Sequence, residues 1–222
     1  MDVTLREFVE LLVRHDAIRF GDFTLKSGRR SPYFVNTGQF RTGAAIASLG
    51  RAYAACIQRN HMACDLLFGP AYKGIALAVA TAIGLAELGH DVPYAFDRKQ
   101  AKDHGEGGWF VGTTPIDGMR VVLLDDVITS GASIRDAVAL LQRTARVQIS
   151  GVVVAVDRQE RGRDPIPTLE ALAGELGVPV RPIVTIREIV SFLHSHDVDG
   201  RRLVDNVRLA AIEAHLAEHG GD

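Results

Sequence analysis

Short continuous apolar runs, each followed by a loop and then a helical pattern, constrain this chain more than any other feature. Asp65 to Phe68 leads into a helix-patterned stretch from about Gly74 to Leu88, and Val121 to Leu124 leads into another that ends near Arg143. Further runs occupy Val92 to Phe96, Val152 to Val156 and Val180 to Thr185. A strand buried on both faces has no polar side to show. Uninterrupted apolar runs alternating with helices therefore imply an α/β fold, a mostly parallel twisted sheet flanked by helices. All 222 residues are expected in one domain, a size at which a single unit buries a substantial core. Ahead of the repeats, Leu5, Phe8, Val9 and Leu12 fall at helical spacing between Thr4 and Val13, and Gly43 to Arg59 is helical by pattern. Between these, FTLKSGRRSPYFVN reads as a hairpin around a Ser-Gly-Arg-Arg-Ser turn. Residues 1–40 or so are read as contributing a small N-terminal hood, and Asp199 to Glu218 as a last helix.

Bulk properties remove several function classes. A net charge of −2 and a pI near 6.4 offer no basic field to nucleic acid. The two cysteines, Cys56 and Cys64, make no disulfide framework. Together with His61 they lack a fourth metal ligand at finger-like spacing, so both read as small apolar fillers. The run from Ile75 to Ala86 is short, Ala-rich and interrupted by Thr81 and Gly84, too little for a membrane span. The opening MDVTLREFVE carries acids where a secretory signal would be basic and then apolar. A cytoplasmic protein is expected.

In parallel sheets, ligands bind beyond the carboxyl ends of the strands. The unusual loops fall there: GPAYKG after Phe68, DRKQAKDHGEGG after Phe96, DDVITSGAS after Leu124 and DRQERG after Val156. They are expected to line one cleft. The third is the most informative. Two adjacent carboxylates at the end of a buried strand gain nothing for folding. The Thr-Ser-Gly-Ala-Ser turn that follows opens a helix, with Ile134, Val138 and Leu141 on one face, and offers backbone N–H groups to an anion. Acceptors for hydroxyls thus stand beside donors for a phosphate. A bare Asx-type helix cap is the bland alternative. No G-x-x-x-x-G-K-[ST] occurs, and GEGGWFVG lacks the dinucleotide-binding spacing, so nucleotide hydrolases and Rossmann dehydrogenases are set aside.

The run of apolar residues, Asp-Asp, two apolar residues and Thr-Ser-Gly-x-Ser resembles the phosphoribosyl-diphosphate signature of the type I phosphoribosyltransferases. FTLKSGRRSPYF, FGPAYKG, RKQAKDHGEGG and VDRQERG follow in the order and rough spacing of the bacterial orotate phosphoribosyltransferases. The resemblance covers nearly the whole chain, the last twenty-odd residues aside. It implies the type I fold and transfer of ribose 5-phosphate from 5-phosphoribosyl 1-diphosphate to orotate, giving orotidine 5′-monophosphate and pyrophosphate in pyrimidine synthesis.

Site roles follow from the resemblance, and residue chemistry supports them. Asp125 and Asp126 suit the ribose hydroxyls and a developing sugar cation. The turn from Val127 and Ile128 through Thr129, Ser130, Gly131 and Ala132 to Ser133 would hold the 5′-phosphate. Tyr72, Lys73, Arg98, Lys99, Lys102 and His104 would surround the diphosphate, with Mg²⁺ bridging its oxygens and held mainly through substrate and water. The bland alternative for RKQAKDH, polar almost throughout, is a solvated basic loop. Lys26, Phe34, Val35, Thr129 and Arg158 are assigned to orotate, Arg158 through its guanidinium fork and Phe34 by ring packing, against the plainer readings of an Arg158–Asp157 ion pair and of a packing aromatic. The family often has two aromatics after the hairpin tyrosine, and Phe34-Val35 departs from that. Lys26, Lys102, Asp125 and Asp126 are the expected catalytic residues. The resemblance also implies a non-proline cis bond at Ala71–Tyr72. It implies a two-fold dimer as well, in which a lid from Lys99 to Gly108 serves the neighbour's site. A purine phosphoribosyltransferase and a non-catalytic nucleotide-sensing regulator on the same fold are the rival readings.

Overall fold

The computed structural model describes residues 3–25, 28–102, 108–128, 130–162 and 166–221. Helix α1 (Val3–Arg14) leads into the antiparallel hairpin of β1 (Ile18–Thr24) and β2 (Arg30–Val35), and α2 (Gly43–Arg59) follows. The body continues as β3 (Leu66–Phe68), α3 (Lys73–Glu87), β4 (Tyr94–Lys102), β5 (Gly108–Gly112), β6 (Arg120–Asp125) and α4 (Ala132–Thr144). It closes with β7 (Gln148–Asp157), α5 (Thr168–Leu176), β8 (Val180–Thr185), α6 (Ile186–Ser195) and α7 (Asn206–His219). The main sheet runs β5-β4-β3-β6-β7-β8, parallel throughout except that β5 is antiparallel to β4. The expected α/β class is the one found.

Alternation along the apolar runs builds two cores from one sheet. Val122 and Leu124 of β6 join Val153 and Ala155 of β7 in a core covered by α1, α2, α3 and α6. Their neighbours Val121, Leu123, Val152 and Val154 face the other way, onto Ile134, Val138 and Leu141 of α4 and Leu172 of α5. A run without polar residues is what a doubly covered strand requires.

The order of the strands positions the loops. From β3 the chain moves to β4 on one side, whereas β6 lies on the other side of β3. The carboxyl ends of β3 and β6 therefore flank the point where the winding reverses, the usual ligand crevice of such sheets.

Three readings need correction or completion. The segment read as a loop after Phe96 is a strand to Lys102, and β5 returns antiparallel from Gly108; only 103–107 lie outside the described residues. The last helix starts at Asn206, capped by Asp205, because Asp199 and Gly200 adopt positive φ (49° and 73°) in a tight turn. The helices α5 and α6 come in addition to the elements read from the sequence. Helix α1 sends Phe8, Val9, Leu12 and Val13 into the first core, and the hairpin adds Ile18 and Tyr33 to it.

Helices α2 and α3 touch backbone to backbone. A Cβ at Gly50 would lie 2.2 Å from the Ala80 carbonyl oxygen, and one at Gly84 would lie 3.0 Å from the Gly50 carbonyl oxygen. No rotamer relieves a clash with main chain. Gly50→Ala is expected to destabilise the protein by about 1–3 kcal/mol, read as a thermal midpoint lower by about 2–4 °C per kcal/mol. An unchanged midpoint would show that the two helices are free to slide apart.

Candidate functional site

Asp125 is the last residue of β6, and Asp126 is the first beyond it. The Asp125 carboxylate accepts from the Asp126 N–H at 2.8 Å and from Ser133 Oγ at 2.7 Å, across the turn. Burial raises its pKa, assisted by the neighbouring Asp126 charge and opposed by the Ser133 bond. Asp126 is more enclosed, at 7% exposure, and its Oδ2 accepts from Thr37 Oγ1 at 3.1 Å and from the Lys73 ammonium. Beneath the pair, the buried Tyr53 hydroxyl donates to the Asp125 carbonyl at 2.7 Å. Asp125 thus accepts from protein donors on both oxygens, whereas the donors to Asp126 both meet Oδ2.

The turn that follows is anchored at both ends. Val127 packs against one core and Ile128 lies in the other. Gly131 caps α4 with a left-handed φ of 74°, where a Cβ would also press within 3.1 Å of Arg135 Nη1. Arg135 donates to the Ser130 carbonyl at 2.6 Å and forks onto Glu175 of α5. The first turn of α4 leaves N–H groups without intrahelical acceptors, next to Ser130 and Ser133. Thr129 lies outside the described residues.

GPAYKG folds back so tightly that a Cβ at Gly69 would meet the Gly74 carbonyl oxygen at 1.9 Å. The Ala71–Tyr72 bond is cis, the linkage expected there. The Ala71 N–H donates to Asp97 Oδ1 of β4 at 2.7 Å, tying this turn to the adjacent strand. Tyr72 is two-thirds exposed and precedes Lys73, the first residue of α3. The Lys73 side chain remains more than half exposed despite its contact with Asp126.

Of the cationic strand, Arg98 Nε donates to the Phe110 carbonyl at 3.4 Å across the β4–β5 pair. The side chains of Lys99 and Lys102, and the whole of Lys26 and His104, lie outside what is described.

A cavity of about 620 Å³ opens between the hairpin turn (Leu25, Arg29), the acid-pair loop (Ile128, Ser130) and the loop after β7 (Asp157, Arg158). Among the described residues that line it, arginines 29, 135, 158 and 161 outnumber Asp157 and Glu160, which favours an anionic ligand. Arg158 lies over the Tyr33 ring, 4.4 Å from its centroid. Its Nη2 donates to Glu160 Oε1 at 2.7 Å and to Ser31 Oγ at 3.1 Å. The local ion pair is therefore with Glu160, not Asp157, and one arm of the fork is already held by protein. Burial raises the Glu160 pKa, but Arg158, with the Tyr33 and His215 bonds, outweighs it and holds the carboxyl at about 2.

Phe34 does not meet Arg158. Alternation along β2 turns Ser31 and Tyr33 toward Arg158 and Phe34 to the opposite face. There its ring stacks on Phe23 at 5.6 Å, with the Arg19 guanidinium over both rings. Val35 pairs with Ile18 and packs against the first core.

Sequence reasoning left out Thr37, Tyr53, Arg135 and Glu160. Only Glu160 had a signal, as the second acid of DRQERG. Thr37 and Tyr53 reach the acid pair across 89 and 72 residues of chain, which no local pattern reports, while Arg135 holds Ser130 from five residues away but is itself fixed by Glu175, 40 residues on.

Residues 36–170 match the family profile described as the phosphoribosyl transferase domain. An orotate phosphoribosyltransferase of Halorhodospira halophila is 48% identical over 215 residues, 96% of either chain. One of Photorhabdus laumondii is 45% identical over 217 residues, 97% of each. The crystal structure of the Francisella tularensis orotate phosphoribosyltransferase superposes with a TM-score of 0.85 at 34% identity, over 97% of this chain and 100% of that one.

Proposed function

Because the chain belongs to the orotate phosphoribosyltransferases, a branch of the phosphoribosyltransferase family, we propose that it joins orotate to the ribose 5-phosphate of 5-phosphoribosyl 1-diphosphate, releasing pyrophosphate. The observation that carries this reading is the Asp125–Asp126 pair at the reversal of the sheet, beside the open N-terminus of α4 and a cavity rich in arginine. The base nitrogen attacks the sugar carbon as the bond to diphosphate breaks, so positive charge grows on the ribose. Carboxylates placed at the ribose hydroxyls stabilise that charge, and a fixed geometry supplies much of the rest of the acceleration.

Each residue set has one task in this scheme. The 5′-phosphate lies on the turn from Thr129 to Ser133, anchored through Arg135. Lys73 exchanges Asp126 for the incoming diphosphate, which frees Asp126 for a ribose hydroxyl; its exposure permits the movement. Tyr72, Arg98, Lys99, Lys102 and His104 complete the diphosphate surroundings, and Lys26 bridges base and sugar phosphate. Orotate takes the donors of Arg158 that Glu160 and Ser31 leave over, and main chain at Phe34 and Val35. The ring of Phe34 is not assigned to the base.

Magnesium fits as part of the substrate complex. Asp125 and Asp126 are hard oxygen donors, but no cluster of three or more acidic, histidine or cysteine ligands stands among the described residues. In this proposal the ion is held mainly through substrate and water, where it would neutralise leaving-group charge. The proposal further places the enzyme in the cytoplasm as a homodimer. No helix among the described residues is long and apolar enough to cross a membrane.

A base-competition assay tests the substrate. With 5-phosphoribosyl 1-diphosphate and Mg²⁺, pyrophosphate release should depend on orotate and be insensitive to hypoxanthine and adenine. Turnover of a purine would select the purine branch, and tight binding of orotate without turnover would select a sensing role.

A further inference from the structure

Glu160 gathers donors from three separate parts of the chain. Its Oε1 accepts from Arg158 Nη2 at 2.7 Å, from the Tyr33 hydroxyl at 2.6 Å and from His215 Nε2 at 2.9 Å. Its Oε2 accepts from Arg29 Nη1 at 3.2 Å. Tyr33 and Arg29 belong to the hairpin, Arg158 to the loop after β7, and His215 to α7. The acid is only 9% exposed and His215 only 8%. The end of the chain reinforces the arrangement: the Arg161 N–H donates to the His219 carbonyl at 2.7 Å, and the Gly221 N–H to the Gln159 carbonyl at 3.3 Å.

A buried ion pair is a poor device for stability alone, because apolar packing of similar volume does as well or better. This one also determines what Arg158 has left to offer. With Nη2 taken by Glu160 and Ser31, and with the guanidinium lying over Tyr33, the plane of the group is set. Among the described residues no protein acceptor meets Nε or Nη1. Glu160 divides its carboxylate between the two arginines, Oε1 to Arg158 and Oε2 to Arg29.

We infer that Glu160 is a positioning residue for orotate: through Arg158 it sets the guanidinium that receives the base carboxylate, and His215 brings α7 into that arrangement without touching the ligand. The inference rests on the proposed activity. It makes the C-terminal helix part of base recognition and assigns Glu160 a role at the base, not at the sugar or diphosphate.

The test is steady-state kinetics on the full chain, with equilibrium binding of 5-phosphoribosyl 1-diphosphate and a thermal melt for each variant. Glu160→Gln keeps the shape and one acceptor but removes the charge. It should raise the orotate KM about tenfold, equivalent to about 1.4 kcal/mol, with diphosphate-substrate affinity within about twofold of the parent. His215→Ala should move the orotate KM in the same direction by a smaller factor, and decides the matter if Glu160→Gln fails to fold. Arg158→Ala supplies the second arm of a cycle. If Glu160 works through Arg158, the double variant should match Arg158→Ala alone in orotate KM. Independent, multiplicative effects would overturn the inference, as would a lowered melting temperature with an unchanged orotate KM. A parent protein that does not turn over orotate would instead refute the proposed activity.

Discussion

Asp125→Asn is expected to lower turnover by about 10²- to 10³-fold, the usual cost of removing one preorganised group that stabilises transition-state charge. The fold should hardly notice. The amide oxygen of the substituted side chain still accepts the Asp126 N–H, and the Ser133 hydroxyl rotates to accept from the new amide instead of donating to a carboxylate. The thermal midpoint should therefore stay within about 2 °C of the parent, the range of changes below about 0.5 kcal/mol. Asp126→Asn should act similarly on rate, with an added effect on the diphosphate substrate. It releases Lys73 from its carboxylate, so less is lost when that lysine moves to the diphosphate. The apparent affinity for that substrate should hold or improve while kcat falls. Parental kcat in both variants, measured at saturating substrates, would remove the acid pair from the mechanism.

Most of this site could be read from local chemistry, and the parts that could not share one physical cause. The acid pair, the turn and the helix behind it are contiguous, so one stretch of sequence contains both ligands and scaffold. The parallel strands were legible because double burial leaves an unmistakable apolar run; Val180 to Thr185 coincides with β8. Strand β5 was not, since GWFVG is short, glycine-flanked and on an edge, where half-exposed residues blur the alternation. Helix α6 does carry local signals, with Ile186, Ile189, Val190 and Leu193 on a buried face and a Thr185/Glu188 capping box. Phe34 shows what residue type alone leaves open. Strand parity decides its face, and the buried Tyr33 beside it occupies the face toward Arg158. Glu160 is the clearest limit. Its partners lie 2, 55, 127 and 131 residues away, so only the folded chain shows what the acid holds.

Mixing two inactive variants is expected to restore activity, and the shape of the β4–β5 pair is the reason. Strand β4 pairs with β3 only at Tyr94 and Ala95, because β3 is three residues long. Beyond that point β4 continues to Lys102 with β5 as its sole strand partner among the described residues, and Lys102 lies opposite Gly108. A two-stranded ribbon without a third strand or its own core is marginal in water. Such an arm suits reaching across an interface and closing on charged substrate. Under the proposed dimer, Lys102 of one protomer serves diphosphate anchored beside Asp125 of its partner. Lys102→Ala and Asp125→Asn proteins should each be nearly inactive alone. In a mixed dimer, one site combines a normal Asp125 with a normal arm from the other chain, while the second site carries both defects. With random exchange of equal amounts, half the dimers are mixed and each has one working site, so activity should return to about a quarter of the parental value per protomer. Exchange is checked by native mass spectrometry on variants of distinguishable mass. Confirmed exchange without recovered activity would show that the arm serves the site of its own chain.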